Sequence, residues 1–328
     1  MKILVTGANG FLGSWVTKAL VKEGHEVFAL VRPKSDLSEL KGVDCKFVHG
    51  DVTDVHSLYE AAKGMDYIFH LAGVIAYKKS QRHQMDKVNV EGTANVISVC
   101  REHKIKRLVY LSSVVAIGAG FTTSDVLTED SHYNISDLNL GYFETKHQAE
   151  KLVKKACDSG EIDAVMLNPS TIYGAGDAKK GSRKMQLKVA QGKLKFYTSG
   201  GVNVVAVEDV VEGILSAWKK GKSGERYILA GENMLIKDLF KMIAEEAGVK
   251  PPTIQLPDQV LHVVGSLGDG MEKMGLKGPM SKENAYTATM YHWFDASKAK
   301  KELDFKPRPA REAIHNSVQW MKDQGLLS

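Results

Sequence analysis

The chain has 328 residues, of which 43% are hydrophobic and 25% charged, with a formal charge of +5. That length suffices for an α/β core of roughly 200 residues plus a smaller unit, and the proportions exclude disordered, collagen-like and membrane-embedded classes. The charge is spread over lysine-rich helix faces such as Lys151, Lys154 and Lys155, not gathered in an arm, so a nucleic-acid partner is not expected. One denser run, KKGSRK at 179–184, reads as a surface loop, with phosphate or partner binding as the alternative. Cys45, Cys100 and Cys157 cannot all pair within one chain and show no metal-ligand spacing, so a reducing compartment and no metal are expected. The first strand follows Met1 directly, without a basic or apolar leader, so a cytoplasmic, non-exported protein is expected.

The first apolar run, Ile3–Thr6, predicts a strand, and Phe11–Glu23 predicts the helix after it. Between them stands a glycine-spaced turn that includes Gly7, Asn9, Gly10, Phe11, Leu12 and Gly13. A strand, a glycine turn and a helix start in that order present backbone N–H groups and the positive helix end to a dinucleotide pyrophosphate. Glu26–Val31 predicts the second strand, and it ends in Arg32-Pro33-Lys34-Ser35. A carboxylate at this point would hold the ribose hydroxyl of NAD. Here Arg32 forks onto phosphate oxygens and Lys34 adds a point charge, which favours NADP, with NAD as the alternative.

Further strands are predicted at Lys46–His49, Tyr67–Leu71, Leu108–Ser112, Ala164–Asn168 and Val204–Val207. Helices are predicted at Val55–Ala62, Met85–Glu102, Leu140–Ser159 and Val210–Lys219. Alternation of this kind builds βαβ units and a parallel sheet, with the ligand crevice at the carboxyl ends of its strands. Ser113 stands directly after the fifth strand, and Tyr142 and Lys146 share one face of the helix that follows. The spacing alone proves little, because Tyr59 and Lys63 share it, but that pair sits on a helix leading away from the crevice. Carbonyl reduction needs a proton donor for the nascent oxyanion. Tyr142 supplies the acid, Lys146 favours its ionised form and holds the cofactor ribose, and Ser113 orients the carbonyl.

After about residue 168 the alternation breaks down, and helical stretches begin near Ile236, Pro257 and Lys282. Pro251–Pro252 marks a connection, and Gly265, Gly268, Gly270, Gly275 and Gly278 predict a loop-rich segment. Residues 1–168 plus about 202–230 are expected to bind the dinucleotide, and about 169–201 plus 231–328 the substrate. Met271, Met274, Met280, Met290, Tyr291, Trp293 and Phe294 read mainly as core, with some available to line an apolar pocket. Ile75 and Tyr77 are placed to meet a substrate.

These stretches together, TGANGFLG at 6–13, GDVTD at 50–54, HLAG at 70–73, NVEGT at 89–93, LSSV at 111–114, YFETK at 142–146 and NPSTIYG at 168–174, resemble the extended short-chain dehydrogenase/reductase family. The likeness spans nearly the whole chain, and VRP at 31–33, GVNVV at 201–205 and WFDASKAK at 293–300 are most similar to its dihydroflavonol 4-reductase-like branch. The resemblance implies a Rossmann-type doubly wound parallel sheet with a smaller, mostly helical C-terminal part. It also implies that Asp51 and Val52 contact adenine and that Leu71, Ala72 and Gly73 line the ribose and nicotinamide side. By the same resemblance Pro169 and Ile172 border the nicotinamide, and Asn89 supports the site. The branch implies NADPH-dependent reduction of a ketone or aldehyde, here of an apolar or aromatic carbonyl compound. Sugar epimerases and dehydratases of the family usually carry an arginine where this chain reads GGVNVVAVEDV, which counts against that alternative. A non-enzymatic NADP-binding sensor is a further one. Ala206 and Glu208 replace the branch's usual histidine and aspartate, whereas Asp209 is retained. A homodimer through Met85–Glu102 and Leu140–Ser159 is compatible with the sequence.

Overall fold

Seven parallel strands in the order β10-β6-β5-β4-β1-β2-β3 form the main sheet. The computed structural model describes residues 1–179, 184–276, 278 and 280–327. The first half follows the predicted alternation: β1 Lys2–Thr6, α1 Phe11–Lys22, β2 Glu26–Val31, β3 Lys46–His49, α2 Val55–Ala62 and β4 Tyr67–His70. A continuous helical stretch follows as α3 Arg82–Met85, a π-helical turn at Asp86–Glu91 and α4 Gly92–Glu102. Next come β5 Arg107–Leu111, α5 Gly141–Asp158, β6 Ala164–Pro169 and β7 Thr171–Tyr173.

The strands are apolar on both sides because helices cover both faces. Ile3, Leu4, Val5, Ile68 and Phe69 are fully buried, and each such side chain contributes about 1.5–3 kcal/mol of transfer free energy. One face packs against α1 and α7 (Val207–Lys220), and the other against α2, α4 and α5. The chain runs outward from β1 through β2 to β3, then returns to place β4 on the other side of β1. A crevice therefore opens between β1 and β4 at the carboxyl end of the sheet.

The second half departs from the predicted pattern. After α6 Lys184–Ala190 and β8 Phe196–Tyr197, the apolar run read at Val204–Val207 forms β9 Gly201–Ala206. It pairs with β7 and with β11 (Glu232–Leu235) in a three-stranded sheet of its own, so it is not the seventh strand of the main sheet. That place goes to β10 Arg226–Leu229, paired with Met166–Pro169. An apolar run signals burial without saying which sheet supplies it.

The remaining elements are α8 Ile236–Ala247, β12 Ile254–Gln255, α9 Asp258–Lys273, α10 Lys282–Thr289, α11 Ser297–Leu303 and α12 Ala310–Asp323. The helical starts read near Ile236, Pro257 and Lys282 match α8, α9 and α10, but the loop read through Gly265, Gly268 and Gly270 is the interior of α9. Gly265 and Gly268 serve close packing, whereas a Cβ on Gly270 would meet nothing within 4 Å. A Cβ on Gly268 would lie 1.8 Å from the Met280 carbonyl oxygen, and one on Gly265 would lie 2.9 Å from the Ala285 Cβ. In the basic run, residues 180–183 lie outside the described residues. Met290 and Phe294 are core, as read, whereas Met274 is 70% exposed. Among the described residues no helix is long and apolar enough to cross a membrane.

Candidate active site

The turn after β1 is shaped by what a side chain would strike. Gly7 has φ +69°, and a Cβ there would lie 2.7 Å from the Ala72 nitrogen. One on Gly13 would lie 2.0 Å from the Gly7 carbonyl oxygen. Only glycine lets the turn touch the segment after β4 on one side and the first turn of α1 on the other. Gly10 begins α1 without a side-chain cap, so the first amides of the helix have no intrahelical acceptor. Leu12 is buried in the core and Phe11 faces the loop at Gly176, which leaves backbone N–H groups as their contribution to the turn.

An open cleft of about 270 Å³ runs along this turn. Gly7, Asn9, Gly10, Arg32, Asp51, Val52, Leu71, Ala72 and Gly73 all line it, together with Leu30, Ser35, Gly50, Val74, Gln84 and Val88. Five separate stretches of chain thus meet where the sequence placed a dinucleotide. Arg32 is exposed, and its amide donates to the Ser35 hydroxyl at 3.2 Å. Lys34 lines the neighbouring shallow cleft with Arg32, Pro33 and Ser35. Asp36, the next carboxylate along the chain, accepts the Ser38 amide at 2.9 Å. Ile75, Pro169 and Ile172 do not line the glycine cleft. Ile75 is 52% exposed, Pro169 closes β6 beside Leu229, and Ile172 pairs with Val205.

The predicted reactive residues are not among the cleft's lining, but Lys146 lies beside Gly73 at its edge. Tyr142 and Lys146 lie one turn apart on α5, 7% and 6% exposed. Burial, and then the neighbouring Tyr77, push the Tyr142 phenol well above its ordinary range, and Ser113 works in the opposite direction by favouring the ionised form. Burial lowers the Lys146 ammonium to about 8, and the Glu150 carboxylate works in the opposite direction. The Lys146 Nζ donates to the Leu111 carbonyl at 2.9 Å and lies 5.5 Å from the Tyr110 ring centre. A Cβ on Gly73 would come within 3.5 Å of that Nζ, so the ammonium borders the cleft.

The backbone around the trio is held from several sides. Asn168 Nδ2 donates to the Ser113 carbonyl at 3.0 Å and to Glu150 Oε2 at 2.6 Å, and Arg226 pairs with Glu150 Oε1 at 3.1 Å. Asn89, on the π-helical turn, accepts the Val74 amide at 2.8 Å and donates to the Val74 carbonyl at 2.9 Å and to Thr145 Oγ1 at 3.1 Å. The predicted support role thus has a physical form: Asn89 stitches the segment after β4 to α5.

A buried relay that the sequence reading did not single out completes the frame. Thr6 Oγ1 accepts the Ala72 amide at 3.1 Å, so its own proton points to His70 Nδ1 at 2.7 Å. His70 Nε2 then donates to Thr93 Oγ1 at 3.2 Å, which donates to the Asn89 carbonyl at 2.6 Å. This order fixes the tautomer by inference from the network. Burial, reinforced by the Lys146 charge, lowers His70 to about 3, so the ring is neutral and acts as a strut.

Tyr77 meets Tyr142 edge to face, with ring centres 6.3 Å apart. It lines a second cavity of about 330 Å³ with Met85, Leu138, Leu140, Arg82 and Glu283, among others. Glu283 belongs to α10, and its carboxylate accepts the Gly141 and Tyr142 amides, each at 3.1 Å. No local sequence signal could have found it, because 141 residues separate it from Tyr142. Asp209 is buried and accepts from the Arg308 amide at 2.8 Å and from its Nε at 2.7 Å, which makes it a structural anchor remote from the trio. The other pair at the same spacing behaves differently: Tyr59 is 41% exposed and meets the His103 ring at a tilt, with ring centres 4.2 Å apart.

Residues 3–230 match the model of the NAD dependent epimerase/dehydratase family. The chain is similar to "Sterol demethylase protein B" of Methylococcus capsulatus, 28% identical with all of both chains covered. It is similar to a "Putative dihydroflavonol 4-reductase" of Synechocystis, 29% identical over 98% of this chain and 95% of the other. Among solved structures, that of gox2253 superposes with a TM-score of 0.88 at 35% identity, covering 99% of each chain.

Proposed function

The chain belongs to the NAD dependent epimerase/dehydratase family, and from that premise we propose that it is an NADPH-dependent reductase of ketones or aldehydes, reversible as an alcohol dehydrogenase. The observation that carries this reading is the buried Tyr142 phenol, one helical turn along α5 from a buried Lys146 that borders the glycine cleft. The residues present fit a dinucleotide, because the cradle at Gly7 and Gly13 is one that a Cβ would fill. A bound nicotinamide supplies the hydride, and the protein must supply the rest.

Its own residues divide that work. A buried phenol held above its usual range stays protonated at neutral pH and can give its proton to the oxygen of a reduced carbonyl. Ser113 holds that oxygen in place and also stabilises the phenolate left behind. Lys146, charged below about 8 and supported by Glu150, holds the ribose and offsets the new negative charge. Gly7, Asn9, Gly10, Phe11, Leu12 and Gly13 bind the pyrophosphate chiefly through backbone amides. Asp51 and Val52 hold adenine, and Leu71, Ala72 and Gly73 line the ribose, with Pro169 and Ile172 bordering the nicotinamide from after β6. The preference for NADP rests on Arg32 and Lys34 at the end of β2, where Asp36 is engaged by Ser38.

The substrate side is assigned to Tyr77, Ile75 and the cavity lined by Met85, Leu138 and Leu140. An apolar or aromatic carbonyl compound fits these side chains. The relatives' names point the same way, since a sterol and a dihydroflavonol are ring compounds of large carbon area. The test is NADPH consumption, followed by absorbance, across a panel of ketones and aldehydes. Turnover of apolar ketones supports the proposal. An interconverted sugar nucleotide without net consumption would establish the epimerase alternative instead.

A further inference from the structure

The helix that carries Tyr142 begins badly by its own means. Its N-cap residue, Leu140, has no side chain able to accept a hydrogen bond, so the opening amides of α5 lack local partners. Glu283 supplies the acceptor from another part of the chain, one carboxylate oxygen to each of the Gly141 and Tyr142 amides. The fit is close, since a Cβ on Gly141 would lie 2.9 Å from the Met85 Cε and 3.7 Å from Glu283 Oε2. Glu283 is itself fixed in the first turn of α10, where Ser281 accepts the Asn284 amide and Asp269 of α9 accepts the Lys282 amide. The same helix α9 reaches the segment after Tyr77 through Lys79–Asp269 at 3.2 Å and Ser80–Glu272. One helix pair therefore grips both the acid's helix and the wall of the adjoining cavity.

We infer that Glu283 is a positioning residue for the proposed reductase, coupling the seating of the α9–α10 pair over the substrate cavity to the placement of Tyr142. The inference rests on the reading of Tyr142 as the proton donor. Two charged groups face Glu283 from other elements: Glu144 on α5 repels it, and Arg82 on α3 attracts it while pairing with both Asp86 and Glu144. Tyr133 is also within electrostatic reach, and Lys78, Lys79, Asp137, Asp269 and Lys282 line the shared cavity. Burial outweighs the two amide bonds and lifts the carboxyl to about 7. Above that pH the ionised group can accept both amides; below it one oxygen carries a proton and the clamp loosens.

Two measurements test the coupling on the full chain. Hydrogen exchange followed by mass spectrometry on the peptide spanning 138–146 needs no substrate, and Glu283→Ala should speed exchange of the first α5 amides. In steady-state assays the same variant should lose about tenfold in kcat, or 1.4 kcal/mol, with KM for NADPH nearly unchanged. Glu283→Gln keeps the shape and one acceptor, so it should recover part of that loss. The ratio of wild-type to Gln-variant kcat should climb as pH rises through about 7. Unchanged exchange, or faster exchange with unaltered kcat and a flat pH ratio, overturns the inference and leaves the reductase reading standing. A wild-type enzyme that reduces no carbonyl compound sinks both, while the exchange rates still report whether the clamp exists.

Discussion

The openings of α1 and α5 set the same physical problem and meet it in opposite ways. Both helices start at a residue without a capping side chain, Gly10 in one and Leu140 in the other. At α1 the helix start adjoins an open cleft, and Gly7 and Gly13 keep Cβ atoms out of the turn beside it. At α5 a carboxylate from a distant helix takes the first two amides. An unsatisfied helix end is thus kept available for a ligand at one corner and spent on internal assembly at the other. The open corner should fail by losing a ligand, and the clamped one by losing geometry.

That contrast can be broken most sharply at Tyr142. Tyr142→Phe should cut kcat by about 10²–10⁴ while NADPH still binds, as read by fluorescence titration; activity near wild type would remove the acid from this helix. At the open corner, Gly7→Ala should cost about 1–3 kcal/mol of stability and weaken NADPH binding, seen as a lowered Tm and a raised Kd together. An unaltered Tm would show that the turn yields more than its contacts imply. Arg32→Asp should lower the NADPH-to-NADH ratio of kcat/KM by at least about tenfold with little change in Tm, and a constant ratio would discard the 2′-phosphate role.

Smaller effects test the ammonium. Burial depresses Lys146 to about 8, so its charge is present at lower pH and lost as pH rises through that value. The reduction rate should fall over the same range. Glu150→Gln should move that fall to lower pH by less than about one unit, because Glu150 favours the charged form. A profile that stays in place would separate Lys146 from the step that limits turnover.

Local periodicity revealed most of the open corner. Strand, glycine turn and helix are contiguous, and the cation at Arg32 directly follows its strand. Ser113, Tyr142 and Lys146 stand out as candidates for the same reason, since each stands at or near the end of an element whose pattern is strong. The seventh strand is hard to see in the sequence because Arg226–Leu229 is short and opens on a charged residue, while Gly201–Ala206 is the more apolar run. The glycines inside α9 suggest a loop because glycine weakens isolated helices, whereas Gly265 lets α10 approach. Glu283 and the His70 relay are products of tertiary contact, and no window of sequence contains both halves of either.

The π-helical turn at Asp86–Glu91 carries a consequence for how this frame tolerates change in chain length. A π turn holds one residue more than an α turn, and here that surplus accompanies an inward-facing Asn89. Removing one residue from this stretch would relax it to a regular helix, a change that local backbone energetics would favour. It would also swing everything upstream of Asn89 around the axis by roughly a quarter turn, detaching the Val74 stitch. A shortened chain could therefore fold well and still lose its active geometry.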